Sequence, residues 1–130
     1  MDIHNIDRVP VFTTKDGSEI RELLAYRNSC IQKQSLAEAR LAPRCATTSH
    51  RHPHTEEIYY ILEGRGEIQI ESEKADVGPG DAVAIPPGKR HQIINTHSLP
   101  LKFLCCCVPA YEDNDTILLV DEPPAADSSP

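Results

Sequence analysis

Between about residues 36 and 108 the chain is a series of short apolar runs cut by glycine and proline. Residues 35–41 (SLAEARL) lead into a turn at Pro43, and residues 58–62 (IYYIL) form a continuous apolar run closed by Glu63-Gly64. Such a short continuous run fits a buried strand. Residues 66–70 (GEIQI) alternate apolar with polar, the period of a half-exposed strand. Residues 83–85 (VAI) stand between Gly78-Pro79-Gly80 and Pro86-Pro87-Gly88, and two further strands follow at 91–95 and 101–108. The prolines sit at the joints and not inside the runs, where they would remove ladder hydrogen bonds. Short strands punctuated in this way predict an all-β sandwich or barrel.

The flanks carry weaker patterns. Ile20, Leu23 and Leu24 in SEIRELLA have helical spacing, but so short a stretch fits a helical turn or a bent strand equally. Residues 1–34 are therefore read as an N-terminal arm, too long for a tag and too short for a domain. The barrel spans residues 35–110, and 111–120 form a C-terminal strand or extension. Residues 121–130 (DEPPAADSSP), with three prolines and three acids, predict a disordered tail.

Composition narrows the function classes. The 130-residue chain carries 13 Lys+Arg against 20 Asp+Glu, a net charge of −7. That balance argues against a nucleic-acid partner, which requires a basic surface. No apolar run reaches the roughly 18 residues of a membrane span, and the N-terminus MDIHNIDR lacks the apolar core of a secretory signal. Five cysteines, three of them consecutive at 105–107, form no disulfide framework and suit a reducing compartment. The expected location is the cytoplasm, with the triplet serving as small apolar residues of a buried strand.

The histidines change the picture. Residues 50–54 read His-Arg-His-Pro-His, and in a strand His50 and His52 share a face, so both imidazoles can reach one ion. Glu57 opens the next run and His91 starts a strand after a tight turn, so these two can supply a third and a fourth ligand. The pattern His50-x-His52-x4-Glu57-x6-Gly64, followed after 15 residues by Gly80-x5-Pro86-x-Gly88-x2-His91-x3-Asn95, matches both signature motifs of the cupins. The chain resembles the small bacterial single-domain members of that family. The resemblance implies a double-stranded β-helix, or jelly-roll barrel, and a metal site inside it formed by His50, His52, Glu57 and His91. One position departs from the motif: Arg44 stands where the family has a glycine, which predicts a different local turn with the fold intact.

Three neutral imidazoles and a carboxylate suit one divalent transition ion, Fe, Mn, Ni, Zn or Cu. Alternation places Tyr59 and Ile61 on the face of Glu57, and Ile93 and Asn95 on that of His91; Phe103, Cys105 and Cys107 face inward if Lys102 is exposed. Tyr59 is the candidate catalytic group, as an acid or hydrogen-bond donor, with simple packing as the alternative. His54, Ile61, Ile93 and Phe103 are candidate second-layer or substrate contacts, and His54 also fits a solvated loop position. The resemblance implies a metal-dependent enzyme acting on a small polar metabolite, of dioxygenase, decarboxylase, isomerase or lyase type. A non-catalytic metabolite- or sugar-binding cupin is the alternative. It further implies a homodimer in which the N-terminal arm covers a sheet edge.

Overall fold

The computed structural model describes residues 1–119; the predicted disordered tail 121–130 lies outside the described residues. Eleven strands are formed among the described residues: β1 Val11–Thr13, β2 Glu19–Leu24, β3 Ser35–Leu41, β4 His50–Arg51, β5 Glu56–Glu63, β6 Gly66–Ile70, β7 Glu73–Val77, β8 Ala82–Ile85, β9 His91–Asn95, β10 Leu101–Val108 and β11 Ile117–Leu118. They make two antiparallel sheets, one ordered β1-β2-β3-β10-β5-β8 and the other β11-β4-β9-β6-β7. From β3 onward the chain passes back and forth between the sheets, apart from the β6–β7 hairpin within one of them. This winding is the jelly-roll barrel.

The strands expected at 35–41, 66–70, 91–95 and 101–108 have those limits, and the other two runs lengthen by a residue or more at their ends. SEIRELLA resolves as strand, because pairing with β3 in the register Ile20↔Ala39 and Arg21↔Glu38 overrides its ambiguous spacing. The arm thereby extends the six-stranded sheet, with β1 as its edge. β7 carries no periodic signal, since four of its five residues are exposed and pairing with β6 holds it.

Between the sheets Leu41, Ile61, Ile68, Ile93, Leu101 and Phe103 form the centre of one apolar cluster. Burying each such side chain contributes about 1.5–3 kcal/mol. The alternation in β10 places Phe103, Cys105 and Cys107 inside, while Lys102 and Cys106 are only partly covered. The same alternation turns Glu57, Tyr59 and Ile61 of β5 inward and leaves Glu56, Ile58 and Tyr60 exposed.

Arg44 departs from expectation. The turn is not replaced: arginine itself takes the left-handed conformation, at φ 65°. Pro43 fixes the preceding φ and Cys45 N–H bonds to Ala42 O at 3.1 Å, which makes 42–45 a type II turn with Arg44 where glycine is favoured. Several bonds hold it there. The Asn95 amide donates to Leu41 O, Ala42 O and Leu99 O at 3.1, 3.2 and 2.8 Å. Asn95 N–H bonds to Cys45 O at 2.8 Å, and the Arg44 guanidinium donates to Thr96 O. Surrounding contacts of this kind maintain a strained residue, and they show the motif asparagine acting as a clamp on loops.

Candidate metal centre

The two sheets meet at a buried cluster of histidines and a glutamate beside the apolar core. β4 and β9 pair with His50 directly opposite His91, and neighbours across a ladder share a face. The chain leaves β4 at His52, whose carbonyl accepts a 2.7 Å bond from Gly88 N–H, so the turn before β9 is tied to the same segment. Glu57 comes from the opposite sheet, in β5 beside Cys107 of β10. The three imidazoles offer nitrogens all within 4.8 Å of one another. Glu57 Oε1 lies 3.4 Å from His52 Nε2 and 3.5 Å from His91 Nε2. The structure therefore brings together all four residues that the motifs single out, each at least nine-tenths buried.

Backbone carbonyls orient the rings. His50 Nδ1 faces Thr48 O at 2.7 Å and His91 Nδ1 faces Lys89 O at 2.9 Å. His52 Nδ1 faces Asp115 O at 3.3 Å and the Thr116 hydroxyl at 3.2 Å. A ring that donates through Nδ1 presents a lone pair at Nε2, so the Nε2 atoms converge as acceptors. On the far side of Glu57 the Cys107 thiol donates to Oε2 at 3.2 Å. Glu57 Oε1 and His91 Nε2 are buried with no hydrogen-bond partner. Such orphaned acceptors are costly unless a cation completes them.

The ionisation pattern agrees. Burial lowers the pKa of His50 to about 4, and the neighbouring His91 acts in the same direction. Burial also works against charging His52, but the facing Glu57 outweighs it and the net shift is upward. For Glu57 burial works upward, and the facing His52 and His91 overcome it and hold the carboxyl well below its ordinary range. Glu57 is thus held as a carboxylate beside a His50 ring held neutral, and this donor set fits a divalent transition ion of nitrogen and oxygen preference.

A cavity of about 40 Å³ opens beside the cluster, walled by Phe12, Tyr59, Phe103, Cys105, Cys107 and Tyr111. Tyr59 and Phe103 pack with ring centroids 4.7 Å apart, and Tyr59 lies 6.1 Å from the His91 ring. Burial first, then the charge of Glu57, pushes the Tyr59 hydroxyl well above its ordinary pKa, so it keeps its proton. Ile61 and Ile93 sit in the core cluster and do not line the cavity. His54 lies on the rim with its side chain 82% exposed, its Nδ1 2.7 Å from Asp115 Oδ1, and does not line the cavity.

Asp16, absent from the sequence-derived set, reaches the site from the β1–β2 turn, with Oδ2 3.4 Å from His50 Nε2. In sequence it belongs to Lys15-Asp16-Gly17-Ser18, which reads only as a turn. Nothing local distinguishes it from any other Asp-Gly turn.

Comparison with known proteins agrees with this geometry. Residues 37–107 match the family model of the Cupin domain. An uncharacterized protein of Methanocaldococcus jannaschii is 48% identical over 113 residues, covering 87% of this chain and 90% of its own length. The oxalate-binding protein of Thermotoga maritima is 29% identical over 94 residues, covering 72% and 78%. Among solved structures the polyketide cyclase RemF of Streptomyces resistomycificus superposes with a TM-score of 0.76 at 22% identity, covering 96% of this chain and 90% of its own. With both signature motifs in place and the jelly roll around them, this chain belongs to the cupin family.

Proposed function

We propose that the protein is a metal-dependent enzyme acting on a small polar metabolite, with one Fe, Mn, Ni, Zn or Cu ion per chain held by His50, His52, Glu57 and His91. The observation that carries this is the convergence of three buried imidazoles and the Glu57 carboxylate, with Glu57 Oε1 and His91 Nε2 left without a hydrogen-bond partner. When bound, such an ion supplies Lewis-acid polarisation of a substrate oxygen. The chain's own residues then set what enters. A cavity of about 40 Å³ has room for a few waters or a small carboxylate, carbonyl or diol group. Its aromatic walls restrict what fits, and Tyr59, which keeps its proton, is the candidate hydrogen-bond donor to a bound oxygen.

Elemental analysis of the purified protein tests the first half, with about one ion per chain expected and none retained by His52→Ala. Equal metal content in wild type and variant, at background level, ends the proposal. A panel of carboxylates, sugars and thiols, followed both by thermal shift and by product detection, tests the second half. The relative named as oxalate-binding favours a second reading, a non-catalytic binder of small carboxylates. Thermal shifts without product support that reading.

The assembly we propose is a homodimer. In the outer face of the six-stranded sheet, Leu36, Cys106, Ile58 and Ala84 align in one cross-strand row. Ile58, Tyr60 and Val108 are 46%, 42% and 48% exposed there, and edge strand β1 shows Val11 and Phe12. A second copy would cover this face and edge. Light scattering should give twice 14.4 kDa, with Ile58→Glu shifting the mass toward the monomer; a monomeric wild type overturns it. A cytoplasmic setting is proposed on the free state of the five cysteines. Among the described residues no helix is long and apolar enough to cross a membrane.

A further inference from the structure

We propose that Asp16 is a fifth protein ligand of the metal centre, delivered through Oδ2 by the β1–β2 turn. The inference rests on the metal-centre reading above and adds a donor that neither motif contains. His50 presents its Nδ1 to Thr48 O at 2.7 Å, so its Nε2 carries a lone pair. Asp16 Oδ2 faces that lone pair at 3.4 Å. A carboxylate oxygen opposite a buried acceptor is repelled unless positive charge lies between them.

The spacing is that of two ligands sharing an ion. Donor atoms each about 2.1 Å from one metal stand about 3.0–3.4 Å apart in neighbouring positions. Glu57 Oε1, a ligand by motif, keeps nearly the same distance from His52 and His91 Nε2, at 3.4 and 3.5 Å. Asp16 thus stands to His50 as Glu57 stands to His52 and His91, one carboxylate from the turn and one from β5.

The turn is built to hold this orientation. Asp16 Oδ1 accepts from the Thr14 hydroxyl at 2.7 Å, from Ser18 N–H at 2.9 Å and from the Ser18 hydroxyl at 2.7 Å. Three donors commit Oδ1 to the turn and direct Oδ2 to His50. Asp16 O accepts Thr48 N–H at 2.7 Å, tying the turn to the segment that leads into β4. The Asp16 side chain is 13% exposed, at the edge of the cavity. Three neutral imidazoles with two carboxylates carry a charge of −2, which a divalent ion cancels. Five protein donors would leave a six-coordinate ion one position for a substrate oxygen, so this residue would also set how a ligand binds.

Asp16→Asn separates the roles of the two oxygens. The amide keeps an acceptor for Ser18 and replaces the anionic Oδ2 with an N–H that can donate to His50 Nε2. Zn(II) affinity is measured by competition with a chromophoric chelator, coordination by the absorption spectrum of the Co(II) form, and folding by melting of the metal-free protein. Zn(II) affinity is expected to fall by at least about 100-fold, since a direct ligand should matter no less than an outer-shell partner, whose loss costs about 10–100-fold. The Co(II) spectrum is expected to change, while the metal-free variant melts no lower than wild type. Wild-type affinity and an unchanged Co(II) spectrum in Asp16→Asn, with or without a lower melting temperature, make Asp16 a turn anchor and overturn the inference alone. A wild type that takes up neither ion overturns both this inference and the metal centre itself.

Discussion

If the proposed ion is bound, a chelator is expected to lower the melting temperature of the wild-type protein by about 10–20 °C. An ion that binds only the folded state stabilises it by about 4 kcal/mol at a thousandfold excess over its dissociation constant. For a chain of 130 residues each kcal/mol moves the midpoint by about 3–5 °C. The molecular source is the convergence of Glu57 Oε1 and the ring nitrogens, acceptors that only a cation satisfies together. In Glu57→Gln the amide can donate to a facing ring nitrogen, so the metal-free form should be no less stable while the response to chelator disappears. Calorimetry with and without chelator reads both effects. A wild type as indifferent to chelator as Glu57→Gln removes the ion from any account of this cluster.

Gly64→Ala is the second large effect, a loss of about 3 kcal/mol in urea unfolding. Gly64 carries the chain from β5 in one sheet to β6 in the other, at φ +85°. A side chain there meets two penalties. The left-handed backbone costs about 1 kcal/mol without glycine. A Cβ would also lie 2.5 Å from Pro100 O and 2.9 Å from Leu101 Cα, and backbone atoms of a paired strand yield little. Gly80→Ala is the control, since Gly80 has φ +93° with nothing within 4 Å of a built Cβ. Its expected cost is about 1 kcal/mol. Equal losses at the two positions would falsify the overlap account and leave backbone strain as the whole effect.

The contrast between Glu57 and Asp16 shows what was legible in the chain. Glu57, His50, His52 and His91 carry their signal in spacing, because strand alternation converts a residue count into a shared face. Strands β3, β5, β6, β8, β9 and β10 were legible for the same reason, with prolines and glycines marking their ends, whereas the exposed β7 was not. Asp16 has no such signal: the β1–β2 turn contributes it, and long-range bonds from Thr48 N–H to its carbonyl and from Lys15 to Asp113 O bring it near. β2 was ambiguous because its pairing partner, not its own pattern, decides its state. Arg44 went the other way, since sequence reasoning weighed the cost of its backbone but could not weigh the clamp supplied by Asn95, some fifty residues along the chain.

The position of β10 between β3 and β5 has a consequence for synthesis. Residues 101–107 pair with 35–41 on one side and the same strand pairs with 56–63 on the other. A central strand of the larger sheet therefore leaves the ribosome after the nine strands that precede it. Until it emerges, β3 and β5 each present an open edge with nothing to insert between them, and the cluster that needs both sheets cannot close. Non-local closure of this kind slows folding and leaves sheet edges open to other chains. A nascent chain that ends before residue 101 would be a candidate for chaperone capture, whereas one released past 108 could seal both edges in a single insertion.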